Sequence, residues 1–364
     1  MAPFVEVVRS LVSELTKLPV KRIFTIATTS KEEENPYVTP LRVTRDFAVA
    51  GCVIFKQECL LELIEIIDGQ VDIVLVDTEK KLPLSIHKQP ITSEDSIYLH
   101  RKTIGPIETG NLSKICFQKI KRSRTFEFKP NDLTVNSAWS FLSQRLRVLS
   151  GKKVAILGAG NIGNKLALKL VECGADVHTY RQQFHIGHQI ANGLNLIKHE
   201  NTVSQITFHS SLLSTTFNAD VVIGCTNGVP IITPEVIQTI SCNALVLDLG
   251  KNNITPEAIR SAIENKLELY RVDVTAALEG FIYEMLKMDS ILSTGYGRKS
   301  LPYCNIVSGG YFGDEGDIIV DNINSPQIVV GISNGAGAIK KMLSSDDNEK
   351  IKRFREDFQL CLKV

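Results

Sequence analysis

The sequence has little that would tie it to a metal, a membrane or a nucleic acid. Its eight cysteines stand at 52, 59, 116, 173, 225, 242, 304 and 361, and no two form a Cys-x-x-Cys pair. Zinc-ribbon and thioredoxin-like readings therefore lack support, and no metal site is expected. Most of these cysteines lie in apolar runs such as Val222-Ile223-Gly224-Cys225, where a reduced thiol behaves as a small hydrophobe. The 41 basic and 40 acidic side chains leave a net charge of +1, which gives no electrostatic case for nucleic acid or an anionic membrane. No apolar run reaches the roughly 18–20 residues of a membrane span. Met1 to Glu6 shows no basic-then-apolar leader pattern. A reducing, cytoplasmic setting is expected. No internal repeat and no low-complexity segment is evident.

What is present is the composition of a globular protein, 43% hydrophobic and 22% charged over 364 residues, with room for two domains. Apolar residues at 4, 7, 8, 11, 12, 15 and 18 follow the helical period, and Pro19 ends that helix. Lys21–Thr28 and Phe47–Phe55 read as strands. Residues 57–67 read as a helix, Asp68-Gly69 as a turn, and Val71–Asp77 as a buried strand. The first 130 residues thus form a smaller α/β domain. Residues 131–149 are again helical. Strand and helix then alternate from Val154 to about residue 290. A glycine-rich, loop-like stretch covers 293–316. A strand is expected at Ile328–Ile332 and a helix from near Gly335.

The strongest signal is Val154-Ala155-Ile156-Leu157-Gly158-Ala159-Gly160-Asn161-Ile162-Gly163. An apolar strand runs straight into G-x-G-x-x-G, and a helix follows with Leu166, Leu168, Leu170 and Val171 on its buried side. The next strand, Val177–Tyr180, closes a unit of the length a first βαβ element needs. Gly158 allows the tight turn, Gly160 the approach of a pyrophosphate, and Gly163 close packing of helix on strand. Backbone N–H groups from Asn161 and Ile162 onward, at the helix N-terminus, face the phosphates. The second strand ends in Tyr180-Arg181-Gln182-Gln183 without the acid that binds a ribose 2′-hydroxyl. A guanidinium there suits a 2′-phosphate, so NADP is expected, with NAD second. Asn218–Gly228, a strand ending in small polar residues, and the later strand Ala244–Lys251 put Thr226, Asn227 and Gly250 at their carboxyl ends, beside the nicotinamide half.

These segments resemble the Rossmann domains of the group that includes shikimate dehydrogenase, methylene-tetrahydrofolate dehydrogenase, glutamyl-tRNA reductase and the amino-acid dehydrogenases. Gly158–Gly163 followed by Tyr180-Arg181-Gln182 is similar to the shikimate enzyme's glycine loop and its 2′-phosphate clamp. Val246-Leu247-Asp248-Leu249-Gly250 resembles a strand of the folate enzyme. The resemblance covers 131 to about 280. Neither the folate enzyme's Tyr-x-x-x-Lys nor the reductase's nucleophilic cysteine is apparent, and the resemblance does not reach residues 1–130.

The expected fold is two α/β domains, the second a Rossmann doubly wound parallel sheet. Residues 1–130 would form the substrate or catalytic domain, with 335–364 packing back on it. Residues 131–334 would bind NADP. A proton donor for carbonyl or imine reduction belongs at strand ends or on the connecting helix. The candidates are Lys81, after the strand ending at Asp77; Asp132, which also suits an N-cap; and Asn136, as a substrate-orienting group. The expected activity is NADP-dependent reduction, or the reverse oxidation, of a C=O or C=N bond in a small metabolite bearing a carboxylate or amine. The rivals are a cyclodeaminase-like lyase with internally recycled NAD, and a dinucleotide-binding sensor without chemistry. The expected partner is a small-molecule substrate, without nucleic acid or membrane, and a homo-oligomer such as a dimer is admitted.

Overall fold

The computed structural model describes residues 2–28, 35–55, 59–79, 85–86, 89–90 and 112–360. The chain divides into two compact units at Val274/Thr275. In the first unit, helix α1 (Ala2–Thr16) precedes β1 (Lys21–Thr28), β2 (Tyr37–Val43), β3 (Phe47–Ile54), α2 (Cys59–Ile67) and β4 (Ile73–Asp77). The two-residue strands β5 (Ser85–Ile86) and β6 (Gln89–Pro90) follow, then α3 (Leu112–Lys119) and β7 (Arg124–Phe128). The first sheet runs β2-β3-β1-β4-β7. Its β3, β1, β4 and β7 are parallel, and β2 is an antiparallel edge.

Counted in chain order, the parallel strands stand 2-1-3-4, a doubly wound order whose switch point lies between β1 and β4. β3 and β4 are buried at every residue, as parallel strands covered on both faces require. α1 turns Val5, Val8, Val12 and Leu15 into the core that β1, β3 and α2 share. That spacing is one helical stripe.

Helix α4 (Pro130–Leu146) leads into β8 (Lys153–Leu157), α5 (Asn161–Glu172), β9 (Asp176–Tyr180), α6 (Phe184–Ile197), β10 (Ile206–His209) and α7 (Leu212–Thr216). Next come β11 (Val221–Gly224), α8 (Pro234–Thr239), β12 (Leu245–Asp248), α9 (Pro256–Glu264) and β13 (Glu268–Arg271). The second sheet runs β10-β9-β8-β11-β12-β13, and every pairing in it is parallel. Numbered from β8, the order is 3-2-1-4-5-6. This is the Rossmann order. The two sheets are separate, so the fold is two α/β layers of the expected kind. α4 belongs to the Rossmann core, where Val135, Ala138 and Leu142 pack with Ile156, Leu166 and Leu170. On α5, Leu168 is only partly buried, and Ala167 takes the core position expected of it.

The second unit departs from the sequence reading, which places residues 275–334 inside the Rossmann domain. They form α10 (Thr275–Ser290), a π-helical turn (Ile291–Gly295), β14 (Arg298–Ser300), β15 (Asn305–Ser308), β16 (Glu315–Val320) and β17 (Val329–Asn334). These four strands make a sheet of their own in the order β14-β15-β16-β17. The expected loop at 293–316 thus contains two strands and the start of a third. The last helix starts ten residues later than expected, as α11 (Ser345–Asp357). Gly335 and Gly337 have φ of +73° and +80°, a backbone that turns and cannot begin a helix. Ser344 and Asp347 instead close a capping box at the true start. Phe354 of α11 is fully buried among Ile306, Ile318, Val320 and Ile332. Within its own unit, α11 thus packs on the four-stranded sheet.

Candidate dinucleotide-binding site

β8 delivers its chain to Gly158 with φ of +106°. A Cβ there would lie 2.8 Å from the carbonyl carbon of Cys225, so only glycine lets β8 and β11 end side by side. At Gly163 a Cβ would stand 2.6 Å from the Gly158 oxygen and 3.2 Å from Ile156. The helix therefore rests directly on the strand it follows. Gly160 differs, because a Cβ there would meet nothing within 4 Å. It is the N-cap of α5, and no side chain caps that end. The first N–H groups of α5, from Asn161, Ile162 and Gly163, have no partner within the helix. Space and donors suited to a pyrophosphate thus coincide at Gly160.

Arg181 follows β9 directly. Its Nη1 donates to the Ala159 carbonyl at 2.9 Å and its Nη2 to Gln183 Oε1 at 2.9 Å. The guanidinium therefore lies against the glycine loop. Thr226 and Asn227 follow β11, and Gly250 follows β12. Thr226 donates its N–H to Asn253 Oδ1 at 2.8 Å and its hydroxyl to Val229 O at 2.6 Å. Asn227 is exposed. A Cβ at Gly250 would fall 2.2 Å from Thr226 O, so the two loops touch there.

Asn253 is the residue that sequence reasoning missed. It is fully buried. Besides holding Thr226, it donates Nδ2 to Asp248 Oδ1 at 2.5 Å, and its own carbonyl accepts from the N–H groups of Ile231 and Ile232. Before it, Lys251 and Asn252 adopt φ of +58° and +62°, conformations that non-glycine residues seldom take. Lys251 Nζ lies 5.2 Å from the ring centroid of Tyr37 on β2, within cation–π range. Cys225 is half-buried near Asp248, and desolvation first, then that carboxylate, pushes its thiol well above the ordinary range. It is not poised as a nucleophile.

Asp132 and Asn136 stand one turn apart on α4. Asp132 lies inside the first turn of α4, whose N-cap is Lys129, so the N-cap role expected of it falls away. Its Oδ1 pairs with Lys165 Nζ on α5 at 2.5 Å. Asn136 is exposed on α4. Lys81 lies outside the described residues. The neighbouring Asn131 ties α4 both ways, donating its N–H to Glu79 Oε2 at 2.9 Å and Nδ2 to Asn161 Oδ1 at 3.2 Å. At the first sheet's switch point, Asp77 is buried and Oδ2 accepts from Thr28 N at 3.1 Å and Thr28 Oγ1 at 2.6 Å. Sequence spacing alone marks Asp77 only as a strand end.

Among the described residues no group of three or more His, Cys, Asp or Glu could hold a metal ion, and no helix is long and apolar enough to cross a membrane. The carboxylates of the Asp314–Asp317 loop are paired: the Arg298 guanidinium lies 2.6 Å from Asp314 and 3.2 Å from Asp317, and Lys340 lies 3.3 Å from Glu315.

No family model matches the chain, and no curated protein matches it. Among solved structures it is similar to a dipicolinate synthase polypeptide from Bacillus halodurans, with 14% identity and a TM-score of 0.35, over 74% of this chain and 97% of that one. It is also similar to D-lactate dehydrogenase from Escherichia coli, with 9% identity and a TM-score of 0.33, over 74% and 80% of the two chains. A third likeness is to CAD from Helicobacter pylori in complex with NADP(H), with 14% identity and a TM-score of 0.32, over 43% of each chain.

Proposed function

We propose that the protein is an NADP-dependent oxidoreductase that reduces, or in reverse oxidises, a C=O or C=N bond of a small metabolite bearing a carboxylate or amine. The observation that carries this reading is the position of Arg181. Its guanidinium sits against the glycine loop at Ala159, at the end of a second strand that ends without an acid. A dinucleotide laid over Gly160 would bring its 2′-phosphate to that strand end. Gly158, Gly160, Asn161, Ile162 and Gly163 would hold the pyrophosphate, and Thr226, Asn227 and Gly250 would border the nicotinamide.

Bound there, NADPH supplies a hydride; the protein supplies position and exclusion of water. Asn253 fixes the Thr226 loop through its hydrogen bond, so the nicotinamide side is rigid before the cofactor arrives. For the proton we assign the pair of Asp132 and Lys165, in which the ammonium carries the proton and the carboxylate holds it in place.

Titration with NADP and NAD, followed by turnover of a metabolite panel read in the nicotinamide absorbance band, tests the proposal. Preference for NADP and net consumption of the reduced cofactor are the expected results. Preference for NAD, or turnover without net redox change, would overturn it.

A further inference from the structure

Two strands beyond β8, the carboxyl edge of the Rossmann sheet opens into a second recess. A cavity of about 570 Å³ lies between the ends of β12 and β13 and the start of α9. Its size is within the range of small-molecule sites. Ile254, Ile259 and Leu269 line it, with Asp248 and Arg271 also on its wall. The two charges differ in setting: the Asp248 side chain is 4% exposed and the Arg271 side chain 61%.

The Asp248 carboxylate is half spent. Oδ1 accepts from Asn253 Nδ2 at 2.5 Å and from Gly250 N at 3.2 Å. Among the described residues, Oδ2 meets Arg271 Nη2 alone, at 3.5 Å. A charge-assisted bond normally closes to about 2.7–2.9 Å. A buried carboxylate oxygen and an open guanidinium thus share one end of an apolar recess without a tight bond between them. A plain anion placed there would face Asp248, and a plain cation would face Arg271. A molecule carrying both charges on neighbouring atoms satisfies each.

We propose that this recess binds a small zwitterion with an apolar side chain, that is, an α-amino acid of the leucine type. The ammonium donates to Asp248 Oδ2, the carboxylate accepts from Arg271, and the side chain lies along Ile254, Ile259 and Leu269. Its lining holds no residue of the glycine loop, though Gly228 and Asn252 join it to the loops after β11 and β12, and the assignment does not depend on the redox reading.

Isothermal titration of the full chain, without dinucleotide, tests this with L-leucine as the probe. The comparison probes are 4-methylpentanoate, which lacks the ammonium, and 3-methylbutylamine, which lacks the carboxylate. Leucine should bind saturably, and each single-charge analogue about tenfold or more weakly, as the loss of one charged contact implies. Arg271→Gln, at an exposed side chain, should keep the fold by circular dichroism and lose about tenfold or more in leucine affinity. NADP titration of the same variant should be unchanged, which keeps this site distinct from the cofactor's. The assignment is overturned by absence of leucine binding at millimolar concentration, by 4-methylpentanoate binding as tightly as leucine, or by Arg271→Gln binding leucine as the wild type does.

Discussion

Arg181 Nη1 donates to the backbone carbonyl of Ala159 at 2.9 Å, so the side chain that ends β9 is hydrogen-bonded to the loop that ends β8. Removing it takes away a potential phosphate partner and one tie on the glycine loop together. We expect Arg181→Ala to lower NADP affinity about tenfold or more, since each charge-assisted bond contributes roughly 1.5–3 kcal/mol. NAD lacks the 2′-phosphate and should change much less. Paired titrations of both cofactors on both proteins check it. An equal loss for the two cofactors would show that the residue serves the loop and not the phosphate.

Gly160 and Gly163 make a matched pair of tests. A Cβ at Gly160 meets nothing within 4 Å, whereas one at Gly163 lies 2.6 Å from a backbone oxygen. Gly160→Val should therefore fold with nearly unchanged thermal stability and lose dinucleotide binding. Gly163→Val should be destabilised by about 1–3 kcal/mol through forced displacement of helix and strand. Thermal melts of both variants, with and without NADP, distinguish the two outcomes.

Asn253→Ala should cost roughly 1–3 kcal/mol or more in denaturant unfolding, because it strands the buried Asp248 carboxylate and the Thr226 N–H. Its cofactor affinity should fall as well, through loss of order at Thr226. An unfolding midpoint equal to that of the wild type would count against the bridging role.

In the second unit, Asp347 accepts from the N–H of Ser344 at 3.0 Å and from Lys340 at 3.2 Å. The Ser344 backbone bond, then the Ser344 hydroxyl and Lys340, outweigh burial and hold its carboxyl below the usual carboxylate range. A depressed folded pKa stabilises at pH above the unfolded value of about 3.9 and is lost as pH falls through the folded value. The stability of this unit should therefore decline on acidification below about pH 4. Asp347→Asn should be less stable at neutral pH and show a flatter acid limb. Urea unfolding as a function of pH gives both readings.

Legibility in the sequence followed the local signals. β3 and β4 were readable because parallel strands buried on both faces leave unbroken apolar runs. The glycine loop was readable because its backbone demands are specific to glycine. β2 was not, since Pro40 and a register shift between Thr39 and Arg42 break the pattern on an edge strand, where proline is tolerated. The start of α11 could have been found, for Ser344-Ser345-Asp346-Asp347 carries the capping-box spacing. Asn253 could not, because its importance lies in partners at 226 and 248, brought together only when β11 and β12 pair.

The same side chain constrains how the protein can be rebuilt. Asn253 fastens the turn after β11 to the last residue of β12, and it does so from a segment whose two preceding residues sit in left-handed backbone. A loop transplanted from another protein at 249–253 would arrive without its matching groups at 226 and 248. Loop grafting should therefore preserve the fold only when Thr226, Asp248 and the 249–253 segment travel as one cassette.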